Sequence, residues 1–124
     1  MFWSYDWDWT AWWFHLHMYN SSNWWKIALW VSTVWTFPAS ESINWNSWNH
    51  IVLTKEWWTM KVYKNKNLIL TTTYNYSIHS NGSWLIWNWY TDDRHVQWVF
   101  DEVIIETVVW SQSQINKYYD KIVS

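Results

Sequence analysis

The chain has no cysteine, one glycine (Gly82) and one proline (Pro38). Without cysteine there is neither a disulfide framework nor a thiolate metal site, although the compartment stays open. No basic run occurs, and 8 Lys and Arg stand against 10 Asp and Glu, for a formal net charge of −2. That balance lacks the sequence-independent phosphate attraction on which nucleic-acid binders rely, so nucleic acid is not expected as a partner. A run of 18 apolar residues is also missing, and the first six residues, Met1-Phe2-Trp3-Ser4-Tyr5-Asp6, have neither a positive n-region nor an apolar h-region. The sequence as written is expected neither to insert into a membrane nor to carry an export signal.

The scarcity of glycine is the strongest anomaly. Average usage of about 7% would supply roughly nine glycines in a chain of this size. Tryptophan is abundant instead, with 18 residues among the 124. Several stand in turn-like surroundings. Trp57-Trp58 separates two strand-like runs, where a two-residue hairpin turn wants Asn-Gly or Gly-Gly because both positions need positive φ. Asp6-Trp7-Asp8-Trp9-Thr10, Trp12-Trp13 and Ser21-Ser22-Asn23-Trp24-Trp25 repeat the pattern. A non-glycine residue in the left-handed region costs about 1–2 kcal/mol, so eight such sites would cost about 8–16 kcal/mol. That matches the whole stability of a typical domain. Most of these tryptophans are therefore read as standing where the working protein has glycine. A lineage that decodes UGA as glycine, translated with a table that reads UGA as tryptophan, would produce this. The 7 Lys against 1 Arg, and the plentiful Asn, Ile and Tyr, fit AT-rich coding. Deliberate substitution and a natural Trp-rich binder are the competing readings.

At 50% hydrophobic and 24% aromatic, the chain suits a single domain over residues 1–124, with enough apolar surface for a core. With Trp read as Trp or Gly, it becomes a series of short alternating segments, the mark of an all-β sandwich or barrel. Phe14 to Tyr19, Lys26 to Val31, His50 to Thr54, Thr59 to Lys64, Leu68 to Thr73, Trp84 to Ile86 and Val99 to Val109 read as strands. Asn65-Lys66-Asn67 joins two of them. The tail differs: Ser111-Gln112-Ser113-Gln114 is a capping box, and Ile115, Tyr118, Tyr119 and Ile122 follow at helical spacing. One short helix is predicted near 112–121, and no other.

Trp48-Asn49-His50-Ile51-Val52-Leu53-Thr54 looks like a Trp-His-His-Val-Ala-hydrophobic-Thr strand, and Met60 to Ile69 looks like a Leu-Tyr-Val-Asn-Gly-x-Leu hairpin. Phe100-Asp101-Glu102-Val103-Ile104-Ile105, followed by Val109-Trp110-Ser111 and the helix, looks like an Ile-Asp-Glu-Val-Arg-Ile-Tyr strand with its closing helix. In that order the three segments resemble the laminin-G-like jelly roll of the concanavalin A-like lectin and glucanase superfamily. The resemblance implies an all-β fold, an antiparallel jelly-roll β-sandwich with a short C-terminal helix. Trp87, Trp89 and Trp98 stand where that family has Gly, whereas Trp48 and Trp110 stand where it favours a large residue, so those two are expected to be genuine core tryptophans. Lys66 departs from the family's hairpin Gly, and Ile105 from its commoner Arg or Lys. The family's opening strands are expected to be missing before Met1.

Asp6-x-Asp8 and Asp92-Asp93-Arg94 are the candidate metal loops. Calcium needs several carboxylate and carbonyl oxygens, so any bound ion is expected to be calcium held among Asp6, Asp8, Asp92 and Asp93; loops that are merely solvated are the alternative. His15 and His17 share a strand face at a chelating spacing, but no third ligand is near in sequence, and a polar strand face is the plainer reading. His50 and His79 have no neighbour that suggests chemistry. Asp101, Glu102 and Glu106 resemble a glycosidase carboxylate set only loosely, because the middle Asp of the laminarinase pattern is absent. Structural roles are expected for them. Asn20-Ser21-Ser22, Asn75-Tyr76-Ser77 and Asn81-Gly82-Ser83 match the glycosylation sequon, as chance allows in so Asn- and Ser-rich a chain.

The resemblance implies a noncatalytic glycan- or protein-binding module of a larger multidomain extracellular or cell-surface protein, an argument from fold analogy. A divergent glucanase-like hydrolase and a Trp-rich carbohydrate-binding module are the alternatives.

Overall fold

An alternating segment becomes a strand when a neighbour can return beside it, and the shortest return is a two-residue turn. The computed structural model describes residues 2–5, 14–21, 24–31, 34–44, 46–73, 83–86 and 99–124. In chain order the elements are β1 (Phe2–Tyr5), β2 (Phe14–Ser21), β3 (Trp24–Val31), β4 (Val34–Ser42), β5 (Ile51–Glu56), β6 (Thr59–Lys64), β7 (Asn67–Thr73), β8 (Ser83–Ile86) and α1 (Gln112–Val123). The strands form two antiparallel sheets. One has the order β4-β3-β2-β1-β8 and the other is the meander β5-β6-β7. The described chain is thus mostly antiparallel β with one short C-terminal helix.

One apolar cluster draws on both sheets. Leu16, Ile27 and Leu29 come from β2 and β3, Ala39 from β4, Ile43 from just beyond it, and Met60, Val62 and Ile69 from β6 and β7. Ile51, Leu53 and Leu70 pack against this cluster. Leu29, Met60 and Val62 are among the largest fully buried side chains, each contributing about 1.5–3 kcal/mol relative to exposure. The Ser40 hydroxyl donates to the Ile69 carbonyl at 3.2 Å and ties β4 to β7.

Six of the seven expected strands form. Thr59 to Lys64 forms with the bounds read from sequence, and the others differ by one or two residues at an end. The helix starts at Gln112 as expected, with both halves of the capping box present, and runs on to Val123. Two strands were not anticipated, β1 and β4. Pro38 conceals β4 in the sequence, because proline cannot donate to a ladder; β4 is an edge strand of its sheet, where proline is tolerated.

Val99 to Val109 is the main correction. It forms no strand, and Val99, Phe100, Val103, Ile104, Ile105, Val108 and Val109 are all exposed. The physical reason lies at Glu102. Its φ of 50° is left-handed, which interrupts an extended run, and its carboxylate is held by the Tyr118 hydroxyl at 2.5 Å.

The tryptophans divide. Trp57 opens the turn between β5 and β6 at φ 50° and is 85% exposed, with Trp58 exposed beside it, so the doublet does lie at a hairpin turn. Only the first of the two turn positions has positive φ, not both. Trp3, Trp24, Trp25, Trp30, Trp35 and Trp84 lie within strands, where extended backbone suits any residue and strain gives no argument for glycine. Trp7, Trp9, Trp12, Trp13, Trp45, Trp87, Trp89 and Trp98 lie outside the described residues. Trp48 corrects the expectation of a core residue, being 69% exposed. It sits on the outside of a bend in which the Asn49 amide donates to the carbonyls of Asn44 and Ser47 and accepts from the Asn44 amide. Trp110 is half-buried rather than core.

Candidate functional site

The turn after β6 positions everything at this end of the molecule. Asn65 and Lys66 both have positive φ, 47° and 66°, and Lys64 pairs with Asn67, as in a two-residue turn of the mirror-image type. Asn tolerates this conformation; Lys does so at about 1–2 kcal/mol. Asn65 also clasps the chain before β5, donating its backbone N–H to the His50 carbonyl and accepting the His50 N–H on Oδ1, each at 2.9 Å.

The Lys66 side chain puts the strained position to use. Its Nζ donates to Asp120 Oδ1 at 2.7 Å and lies 5.3 Å from the centre of the Tyr119 ring, so it docks α1 against the turn. Gln112 Nε2 completes the dock, donating to the Lys66 carbonyl at 2.8 Å and to Asn116 Oδ1 at 2.7 Å. On the inner face of α1, Ile115 is fully buried, and His50 stands 5.6 Å from the Tyr118 ring and 5.9 Å from Tyr119. Burial lowers the His50 pKa below its ordinary value, and its Nδ1 is buried with no hydrogen-bond partner among the described residues.

Tyr118 links this cluster to the exposed segment before the helix. Its ring lies 5.1 Å from Trp110, whose Nε1 donates to Glu106 Oε2 at 2.6 Å. The hydrogen bond to Glu102 raises the Tyr118 pKa, with further contributions from desolvation and from the charges of Glu102 and Asp101. Glu102 and Glu106 are therefore each engaged by a different aromatic donor. A structural role was expected for Glu102 and a merely solvated one for Glu106, and neither partner could have been read from spacing.

A cleft of about 560 Å³ opens where β4, the start of β7 and α1 meet, lined by Glu41, Lys66, Asn67, Leu68, Gln112 and Asn116. Behind it lies Lys64, only 6% exposed, whose Nζ donates to the Ser42 carbonyl at 2.5 Å and pairs with Glu41 Oε2 at 3.1 Å. The lining comes from positions far apart in sequence, so spacing alone did not reveal it. Lys66 at a glycine position was the one signal available. Asp6, Asp8, Asp92 and Asp93 lie outside the described residues, as does His79; His15 and His17 are paired along β2, their side chains undescribed. Among the described residues, no group of three or more His, Cys, Asp or Glu is placed to hold a metal ion. No helix of the described residues is long and apolar enough to cross a membrane, which does not bear on β-barrel spans.

Set against known protein families, curated proteins and solved structures, the chain matches none.

Proposed function

We propose that the chain is a noncatalytic module, built as an antiparallel jelly-roll β-sandwich of the laminin-G-like kind, that binds glycan or protein within a larger extracellular or cell-surface molecule. The observation that carries this reading is the open cleft beside α1. Among the described residues its lining offers three amides, one carboxylate and one ammonium group, with no serine, cysteine or histidine and no second carboxylate. Glycoside hydrolysis needs two carboxyl groups facing one ligand, so such a lining suits recognition better than bond cleavage. The sharing of one core between two antiparallel sheets supports the fold half of the proposal.

Exposed indoles at Trp48, Trp57 and Trp58 favour a second form of the same function, stacking on sugar faces. Strand β5 separates Trp48 from the doublet, and its six residues span about 20 Å, so the two cannot grip one sugar ring.

Retention of the intact chain on immobilised neutral polysaccharides, together with an assay for released reducing ends, tests the proposal. Retention without release is expected. Release that disappears in Glu102→Gln or Glu106→Gln would replace the module with a hydrolase.

A further inference from the structure

The charged groups of the cleft are already paired. Lys66 is bound to Asp120 at 2.7 Å and Glu41 to Lys64 at 3.1 Å. An anionic ligand would have to compete with Asp120, and a cationic one with Lys64. The amides are differently placed. Gln112 Nε2 spends its two protons on the Lys66 carbonyl and Asn116 Oδ1. This leaves Gln112 Oε1 to accept and Asn116 Nδ2 to donate, one helical turn apart on the same face. Asn67 brings a third amide from the head of β7, and the exposed Leu68 next to it offers an apolar surface. A donor and acceptor side by side, with an apolar patch nearby, complement a vicinal diol and the C–H face of its ring.

We infer that this cleft binds a neutral saccharide of one or two rings through the Gln112, Asn116 and Asn67 amides, an inference that rests on the binding-module reading and names its ligand class and site. The test is a nuclear magnetic resonance titration of the intact, isotope-labelled chain. The probes are cellobiose, maltose, lactose and N,N′-diacetylchitobiose, with a sulfated heparin disaccharide as the charged control. Saturable shifts of the Asn67, Gln112 and Asn116 side-chain amide signals are expected with at least one neutral probe, at an affinity that added salt leaves unchanged. Asn116→Asp keeps the acceptor for Gln112 and removes the free donor, so it should weaken binding about tenfold with the Val62 and Ile115 methyl signals in place. Shifts confined to other parts of the chain overturn the cleft and leave the module reading standing. No shift with any neutral probe, or saturation by the sulfated probe alone, likewise overturns the saccharide inference. Conversion of a probe during the titration overturns the module reading itself.

Discussion

Strand β6 and the segment 99–109 are both rich in β-branched and apolar residues, yet their surroundings are opposite. Thr59–Lys64 is laddered on both sides, and its Met60 and Val62 are fully buried. In 99–109 seven large apolar side chains face solvent and no strand forms. The difference lies in the neighbours. β6 is flanked by two-residue turns that return the chain immediately, so its partners are local and entropically cheap to bring together. Among the described residues no strand pairs with 99–109, and Glu102 turns left-handed towards Tyr118 instead. An alternating pattern thus specifies a strand only where the topology supplies an edge to pair with.

The largest effect that could break this comparison is a pair of truncations. Met60→Ala should cost about 2–5 kcal/mol through lost transfer energy and a cavity. Ile104→Ala, at an exposed position, should stay within about 0.5 kcal/mol of the parent chain. Urea unfolding monitored by fluorescence measures both. A cost at Ile104 equal to that at Met60 would mean that 99–109 is buried in solution.

The two turns flanking β6 give the next effect. Trp57→Gly should relieve left-handed strain and stabilise the chain by about 1–2 kcal/mol, since little burial is lost with an exposed indole. Lys66→Gly relieves similar strain but gives up the Asp120 pair and the Tyr119 contact, so its gain should be smaller. Thermal melts rank the two variants. A destabilised Trp57→Gly would remove the structural support for glycine at that position.

The smallest effect concerns pH and the contact between α1 and the β5–β7 sheet. Burial favours the neutral imidazole of His50 in the folded chain, so the unfolded chain protonates first. The stability contributed by the neutral ring is full above the unfolded pKa of about 6.5 and is lost as pH falls from there through the lower folded value. Tyr118 and Tyr119 face the ring, Asn65 holds its backbone, and Glu102 and Lys66 bear on the two tyrosines. Melting should show a mildly acid-sensitive helix contact that disappears in His50→Gln; acid sensitivity that persists in that variant would assign it to other groups.

The two turns and the capping box were legible in sequence because their signals are local: Asn65-Lys66, the Trp57-Trp58 doublet between strand patterns, and Ser111 with Gln114. The edge strand β4 was hidden by Pro38. Trp48 was misplaced because a family resemblance assigned it to the core, whereas hydrogen bonds between Asn44 and Asn49 hold its segment in an outer bend. The cleft was illegible, since it exists only when Glu41, the turn at Lys66 and the first turns of α1 are folded together.

Amide hydrogen exchange on the intact chain, read residue by residue, tests most directly the claim that local pairing and not the apolar pattern decides which segments become structured. Slow exchange is expected at Val62 and Lys64 within β6, and exchange near the unprotected rate through Val103, Ile104 and Ile105. Equal protection in the two segments would contradict it and would restore 99–109 as a paired strand.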